Sequence, residues 1–297
     1  MKRIITLGFV LVLLLLALSL VHAEPVAFEY KFTKGEVDKY RLTIDMNISA
    51  AGVPADTAPM NSKISLVLLQ KTLDVLEDGT AKIQVSYTDQ SMSMPGMPKE
   101  QAAKLPSQTI TMNMSKDGKV LSMDGVGNLV GTAAGPGMDF GQMLSQVGYS
   151  GIFPPKPINV GESWSQAVPI PFGGGSVNIN STLVSTGELI SDVDASKVKQ
   201  DYKGHIDLGQ LMKAIASSVP NEMKGEMAQA ISSLKGGVEL DGSTLFYFSP
   251  TLGKLLKANG NIVSNIKLIL PEEATNAGAP PQMDMVMNLN LNITRFK

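Results

Sequence analysis

Near the middle of the 297-residue chain lies the segment FPPKPINVGESW, residues 153–164. Prolines occupy three of the four positions 154–157, and they fix φ and remove backbone donors, which predicts an extended stretch outside a sheet ladder. The Val-Gly-Glu that follows predicts a turn into a new strand, which carries the only tryptophan, Trp164. The segment therefore divides the chain into two β-rich halves, although an ordinary loop between strands is the alternative.

Residues 1–23 have the pattern of a secretory signal peptide. A charged start, Met1-Lys2-Arg3, precedes an apolar run over residues 4–20 and a cleavage-like Val21-His22-Ala23. We therefore expect a periplasmic or extracellular protein. The apolar run approaches the roughly 20 residues that span a bilayer, so an uncleaved N-terminal membrane anchor is the alternative.

The composition argues against several classes of chemistry. Cysteine is absent, which excludes a disulfide framework, a thiol nucleophile and a lipidated cysteine. His205 is the single histidine after the signal segment, and no Gly-x-Ser-x-Gly motif accompanies it, so we predict a structural role for it. With no Lys/Arg cluster, nucleic acid is not an expected partner. We expect no cofactor, no metal site and no enzymatic activity.

Strict alternation of apolar and polar residues predicts a mainly β fold. It is clearest over residues 40–48 and 283–293, while the alternation of Phe28, Tyr30 and Phe32 predicts a first, half-buried strand. One good helical stretch, residues 207–235, interrupts the second half. We predict a long curved antiparallel sheet or half-barrel, with a short helical insert.

The two halves, residues 24–152 and 153–297, read as copies of one design. A Gly-Glu pair precedes a strand at residues 35–36 and again at 161–162, and GKVLSMDG at 118–125 resembles GKLLKANG at 253–260. These matches predict an internal duplication, in which the halves form separate domains or one continuous domain. The alternative is that Asp/Asn-Gly turns recur by composition alone.

Methionine is abundant, with 17 residues in the chain. Soft thioethers clustered at Met92, Met94 and Met97 are a candidate Cu(I) site. Strand parity instead places Met112 and Met114 on a buried face, where methionine is an adaptable apolar filler. We therefore favour core packing, or the lining of an apolar cavity, over copper.

Two resemblances follow from these motifs. The segments YKFTKGE (residues 30–36) and FPPKPINVGESW resemble those of a family of bacterial secreted proteins that repeats an aromatic-Lys-x-Gly-Glu and a Pro-x-Pro-x-x-Val-Gly-Asp/Glu-x-Trp motif. That resemblance implies export and β architecture, and it brings no activity or catalytic residues. The predicted layout is also similar to the periplasmic lipoprotein-carrier fold (LolA/LolB-like), as an analogy of architecture only.

The favoured hypothesis is an exported, non-enzymatic protein that binds an apolar ligand such as a lipid or acyl chain. A sheet that is apolar on one face must cover that face, and amphipathic helices could close a cavity over it. The predicted ligand-binding residues are Met212, Ile215, Met223, Met227, Met285, Met287 and Leu289. The alternatives are an envelope module that binds a protein partner through its sheet edges, and an enzyme with a polar cleft around His205.

Overall fold

The computed structural model of the chain describes residues 24–51, 60–93, 109–124, 153–169, 175–210, 235–270, 275 and 280–296. Eleven strands lie within these ranges. They are β1 (Val37–Ala51), β2 (Met60–Val75), β3 (Ala81–Ser93), β4 (Thr109–Met114), β5 (Val120–Asp124), β6 (Ser163–Pro169), β7 (Gly175–Ile190), β8 (Val193–Asp207), β9 (Lys235–Ser249), β10 (Lys254–Ile269) and β11 (Gln282–Phe296).

All eleven strands form one antiparallel sheet in the order β5-β4-β3-β2-β1-β11-β10-β9-β8-β7-β6. Each half of the chain is a meander of neighbouring strands, and the first and last strands, β1 and β11, join the halves at the centre. The sheet does not close into a barrel, because β5 and β6 are its two ends. The predicted mainly β, antiparallel fold is confirmed.

One face of the sheet, here the inner face, carries the core. In β1 it presents Tyr40, Leu42 and Ile44, which pair across β11 with Arg295, Ile293 and Leu291. The opposite, outer face carries the polar residues that alternate with them. The alternation over residues 40–48 and 283–293 therefore predicted both strands and the faces they present.

An aromatic cluster on the inner face joins the central segment to the N-terminal segment 24–32. Phe28, Tyr30 and Phe153 contact Phe248 at ring-centroid distances of 4.8–5.8 Å, and Trp164 lies 6.2 Å from Phe28. The predicted strand through Phe28–Phe32 is wrong. This segment is extended and buries Phe28 and Tyr30, but its one β-bridge joins Val26 to Ile158. Further along this segment, backbone hydrogen bonds reach two hairpin turns: Tyr30 N–H donates to Lys116 O and Lys31 N–H donates to Gly253 O.

The two Gly-Glu turns make the same set of backbone hydrogen bonds. Gly35 donates its N–H to Thr72 O at 2.8 Å, and Thr72 donates back to Glu36 O at 2.9 Å. In the second half Gly161 donates to Leu183 O at 2.7 Å, and Leu183 donates to Glu162 O at 3.0 Å. Both glycines have positive φ, 83° and 90°, which other residues adopt only with strain.

The strands that follow these turns also match in register. The pairing of β2 with β3 shifts at Thr72/Asp74, and that of β7 with β8 shifts at Leu183/Ser185, immediately after the residue that bonds the turn. Each half then closes a hairpin, β4 to β5 and β9 to β10, whose glycine N–H donates to a serine carbonyl. Five strands of one half thus correspond in order to five of the other.

The predicted helical insert falls mainly outside the described residues. Strand β8 extends to Asp207, residues 208–210 are helical, and β9 begins at Lys235. Among the residues that the structure describes, no helix is long and apolar enough to cross a membrane.

A buried ionic cluster lies where β1, β10 and β11 meet. Asp38, which is 2% exposed, accepts hydrogen bonds from Lys254 Nζ at 2.6 Å and from Arg295 Nε and Nη2 at 2.9 and 2.7 Å. Lys254 also donates to Glu36 Oε2 at 3.0 Å. Burial alone would lower the pKa of Arg295, but the hydrogen bond and charge of Asp38 raise it. Two acids and two bases therefore neutralise one another at the central seam.

Candidate ligand-binding cleft

A row of polar side chains crosses the inner face of the second half. Ser181 on β7 pairs with Gln200 on β8, and Gln200 pairs with Thr244 on β9. All three are buried, with 0%, 6% and 7% of their surface exposed. Polar groups at core positions are costly unless they are hydrogen-bonded, so their placement calls for a physical reason.

Hydrogen bonds connect this row into a chain. The Tyr202 hydroxyl donates to Gln200 Oε1 at 2.8 Å, and Gln200 Nε2 donates to the Ser181 hydroxyl at 3.1 Å. Burial raises the pKa of Tyr202, and a hydrogen bond with Thr244 opposes that rise. Tyr202 is therefore a neutral hydroxyl throughout the physiological range, and the group as a whole is an uncharged set of donors and acceptors.

The polar row forms one side of a small, half-open cleft with a free volume of about 40 Å³. Aromatic and aliphatic side chains form the rest of its surface, and none of the described residues that line it is charged. They are Tyr30, Phe153, Gln200, Tyr202, Thr244, Phe246, Phe248, Leu255, Ala258, Leu291 and Ile293. An apolar pocket with a few convergent polar groups is the usual form of a small-molecule site.

A glycine leaves room beside the polar row. Gly260 on β10 pairs with Thr244 on one side and with Leu291 on the other, so it occupies an inner-face position. A Cβ atom there would lie 2.3 Å from Thr244 Oγ1, well inside contact distance. Any side chain at position 260 would therefore displace the Thr244 hydroxyl.

The structure divides the seven predicted ligand-binding residues into two groups. Met212, Ile215, Met223 and Met227 lie outside the described residues. Met285, Met287 and Leu289 lie on the inner face of β11, half-buried, in the same alternation as Leu291 and Ile293. The cleft is lined by Leu291 and Ile293, and the three predicted residues continue that face beyond it.

A buried hydroxyl lies beside the methionine end of this face. Ser264 on β10 pairs with Met287 on β11 and with Leu240 on β9, and it is 1% exposed. Its Oγ has no hydrogen-bond partner among the residues that the structure describes, a condition that few buried polar atoms show.

Gln200, Tyr202 and Thr244 were not among the residues predicted from the sequence to bind a ligand. A signal for Gln200 was available, because the alternation of Val198, Gln200 and Tyr202 places a glutamine at an inward position of a strand. Thr244 carried no comparable signal, since threonine is common on either face of a strand.

His205 lies on the outer face, away from the cleft. It pairs with Glu239 in the β8–β9 register, and its Nδ1 is 2.6 Å from Glu239 Oε1. Both side chains are more than half exposed. The described residues include no group of three or more histidine, aspartate or glutamate side chains placed to hold a metal ion.

The methionine positions follow strand parity where the structure describes them. Met112 and Met114 are buried in the core, at 3% and 0% exposure. Of the candidate Cu(I) cluster, Met94 and Met97 lie outside the described residues.

Comparisons with known proteins add little to this geometry. No family model matches the chain, and no curated protein matches it. The chain is similar to the solved structure of DynF from the dynemicin biosynthesis pathway of Micromonospora chersina, at 8% sequence identity. That match covers 91% of this chain and 86% of that chain with a TM-score of 0.20, a level of likeness that carries no argument about fold or function.

Proposed function

We propose that the protein is an exported, non-enzymatic carrier or sensor of an amphipathic ligand, one with an apolar body and an uncharged polar group. The observation that carries the proposal is the cleft itself, in which a hydrogen-bonded polar row lies among aromatic and aliphatic side chains. A lipid with a hydroxyl or ester group, or a comparable acyl compound, has this combination of properties.

The apolar body of the ligand would pack against the aromatic wall. Phe246 and Phe248 are 6% and 1% exposed, and Leu291 and Ile293 continue the wall onto β11. From there Leu289, Met287 and Met285 extend the same face, so an elongated chain has a continuous apolar path along β11. Each buried CH₂ contributes about 0.8 kcal/mol, which makes chain length the main determinant of affinity.

The polar group would bond to Gln200, Thr244 or Tyr202. These side chains offer both donors and acceptors, and no charged residue lines the cleft. The nearby cations Lys254 and Arg295 are already bonded to Asp38. A neutral head group is therefore favoured over an ionised carboxylate or a phosphate, whose charge would remain uncompensated.

The segment between β8 and β9, which the sequence predicts to be helical, would serve as a cover. Its predicted apolar face carries Met212, Ile215, Met223 and Met227, and methionine suits a surface that adapts to ligands of different shape. Strands β8 and β9, which flank this stretch, also supply Gln200, Tyr202 and Thr244. A hinge at the ends of these strands would couple ligand entry to the cover.

Export rests on residues 1–23, and we infer that cleavage after Ala23 releases the chain outside the cytoplasm. We further propose that the halves arose by internal duplication. The matched turns at Gly35-Glu36 and Gly161-Glu162, and the matched register shifts, support this origin.

The first test is native mass spectrometry of the mature protein purified without detergent, followed by solvent extraction. We expect an adduct that extracts as a neutral lipid. Titration with monooleoylglycerol and with oleate at pH 8 should then show tighter binding of the uncharged compound. A bare mass together with no saturable binding of either compound would contradict the proposal.

A matched pair of variants locates the site. Ala258→Phe fills the cleft and should abolish binding, whereas Ala167→Phe, at an exposed position of β6, should leave it unchanged. Equal binding by both variants would contradict the assignment of the cleft.

A structural module that binds an envelope protein is the second candidate. The observation that favours it is the open sheet, whose end strands β5 and β6 each pair on one side only among the described strands. Leu121 on β5 is 59% exposed, as an edge that recruits a partner strand would require. A bare mass combined with cross-linking of a partner to β5 or β6 would favour this candidate over the carrier.

A further inference from the structure

The outer face of the four central strands carries a dense array of asparagines. It spans β2, β1, β11 and β10, which are neighbours in the sheet. The members of this amide array are Asn61, Asn47, Asn288, Asn290, Asn292, Asn259 and Asn261.

Asparagine is an unusual choice for these positions. It is depleted in strands, where threonine or charged residues normally occupy the solvent-exposed face. In β11 three asparagines alternate with Leu289, Leu291 and Ile293, so the inner face follows the expected pattern while the outer face departs from it. Departures from local preference of this kind concentrate at functional sites.

The array is regular, because its members are in register across strands. Asn259 pairs with Asn292, and Asn261 pairs with Asn290. Neighbouring strands are about 4.8 Å apart and alternate residues along a strand about 6.8 Å apart, so the amides form a grid on that scale. Asn261 Nδ2 donates to Asn290 Oδ1 at 3.0 Å, and Asn47 Nδ2 donates to Asn61 Oδ1.

These cross-strand bonds orient the amides without exhausting them. Each side-chain amide has two N–H donors and two acceptor lone pairs, so an amide that makes one such bond retains both kinds of group. Asn261, Asn290 and Asn292 are exposed to solvent, where those groups are available to a ligand.

A shallow, open groove of about 400 Å³ runs through the array. Asn259, Asn261, Asn290 and Asn292 line it, together with Ser243, Leu245 and Asp45. Asp45 forms an ion pair with Lys63 at 3.3 Å, which leaves the groove close to electrically neutral. Leu245 adds one apolar contact among the polar groups.

We propose that this outer-face groove binds a neutral glycan chain. Sugar hydroxyls both donate and accept hydrogen bonds, as the asparagine amides do, and a linear glycan repeats them along its length. The near-neutral groove offers no net charge to a phosphate or a polyanion, and Leu245 suits the C–H surface of a sugar ring. The site lies on the face opposite the cleft, so the protein would hold its two ligands independently.

The test uses the full mature chain and two uncharged oligosaccharides, cellohexaose and chitohexaose. We expect isothermal titration or ligand-observed NMR to detect saturable binding of at least one of them. The double variant Asn261→Ala/Asn290→Ala should bind at least about tenfold more weakly, since it removes two amides from the groove. Its unfolding midpoint, measured in parallel, should show that it remains folded.

Asn265→Ala is the matched control. Asn265 lies on the same outer face of β10, but it pairs with Val286 and is not among the residues lining the groove, so binding should be unchanged. Absence of saturable binding by the unaltered chain would overturn the proposal, as would an equal loss in the Asn265→Ala control. A doubling of mass that the double variant abolishes would also overturn it, because the array would then be a contact between two copies.

Glycan binding on the outer face can be tested separately from ligand binding in the inner-face cleft. A variant with the cleft filled, Ala258→Phe, should bind the oligosaccharide as the unaltered chain does. Loss of oligosaccharide binding in that variant would place the glycan in the cleft and overturn the assignment to the outer face.

Discussion

The same row of the inner face differs between the two halves of the sheet. Two residues after each Gly-Glu turn, the first half has the row Asp38–Gln70–Val85–Ile110, and the second has Trp164–Ser181–Gln200–Thr244. In the first half the polar residues lie at the start of the row, beside the central seam. In the second they occupy the three positions after Trp164, beside the aromatic wall.

Buried polar groups thus stabilise the fold in the first half, whereas in the second half they are candidates for binding a ligand. Both carboxylate oxygens of Asp38 accept hydrogen bonds from Lys254 and Arg295, so this carboxylate is used within the protein. The donors and acceptors of Gln200 and Thr244 lie at the surface of a cleft instead. One framework thus supports a packed core on one side and a lined cavity on the other.

The largest expected effect comes from breaking the polar start of the first row. Asp38→Ala should lower the free energy of unfolding by about 3–5 kcal/mol, because it leaves Lys254 and Arg295 without their shared buried partner. Urea unfolding measures the change. Asp201→Ala, which removes a half-exposed ion pair with Lys199, should cost less than about 1 kcal/mol. Equal losses in the two variants would show that the cluster is not the seam's main ionic support.

The next largest effect is expected when the buried row of the first half receives the glutamine that the second half has at the corresponding position. Val85 is 2% exposed and lies between Gln70 and Ile110 in this row, so Val85→Gln buries an amide whose one polar neighbour in the row is Gln70, and it should cost about 2–3 kcal/mol. Thermal and urea unfolding would measure it. A cost below about 0.5 kcal/mol would mean that the first half tolerates buried polar groups as the second half does. The proposed difference between the two rows would then be refuted.

The reverse exchange should separate stability from binding. Gln200→Val alone removes a partner from Ser181 and Tyr202 and should cost about 1–2 kcal/mol. The triple variant Ser181→Ala/Gln200→Val/Thr244→Ile removes the set together and should change stability by less than about 1 kcal/mol, while binding of monooleoylglycerol falls at least about tenfold. Undiminished binding by a folded triple variant would refute a role for the polar row in recognition.

The smallest expected effect is on the acid stability of the second Gly-Glu turn. Glu162 accepts the backbone N–H of Asn159 at 2.8 Å, and this hydrogen bond lowers the pKa of the carboxyl group. A lowered folded-state pKa means that stability is gained above the ordinary value of about 4.3 and lost as pH falls through the folded-state value. Glu162→Gln should therefore flatten the decline in stability below about pH 4.3, as acid titration followed by circular dichroism would show. An unchanged acid limb would contradict this.

Much of the fold was accessible from the sequence, because one-sided burial imposes a period of two. The long runs at residues 40–48 and 283–293 are strands with the predicted faces. Phe28, Tyr30 and Phe32 misled for a physical reason. An extended segment that packs aromatic rings on a sheet alternates as a strand does, although the backbone of Tyr30 and Lys31 bonds to two hairpin turns and not to a neighbouring strand.

The cleft was harder to predict, since it depends on pairing between strands far apart in the chain. Gln200 and Thr244 are separated by 44 positions and become neighbours only when β8 aligns with β9. Gly260 adds the missing volume from a third strand. Strand periodicity identifies the face of each residue but not the register that brings three faces together.

The adjacency of β1 and β11 bears on when the sheet can assemble. A chain synthesised from its N-terminus exposes one edge of β1 until the fifteen residues of β11 have been made, and β10 lacks its partner for the same time. The ionic cluster at the seam also needs Arg295, close to the end of the chain. The centre of the sheet can therefore assemble only after β11 has been made, and a chain that stops before residue 282 would consist of two separate sheets with unpaired edge strands, which are prone to aggregate.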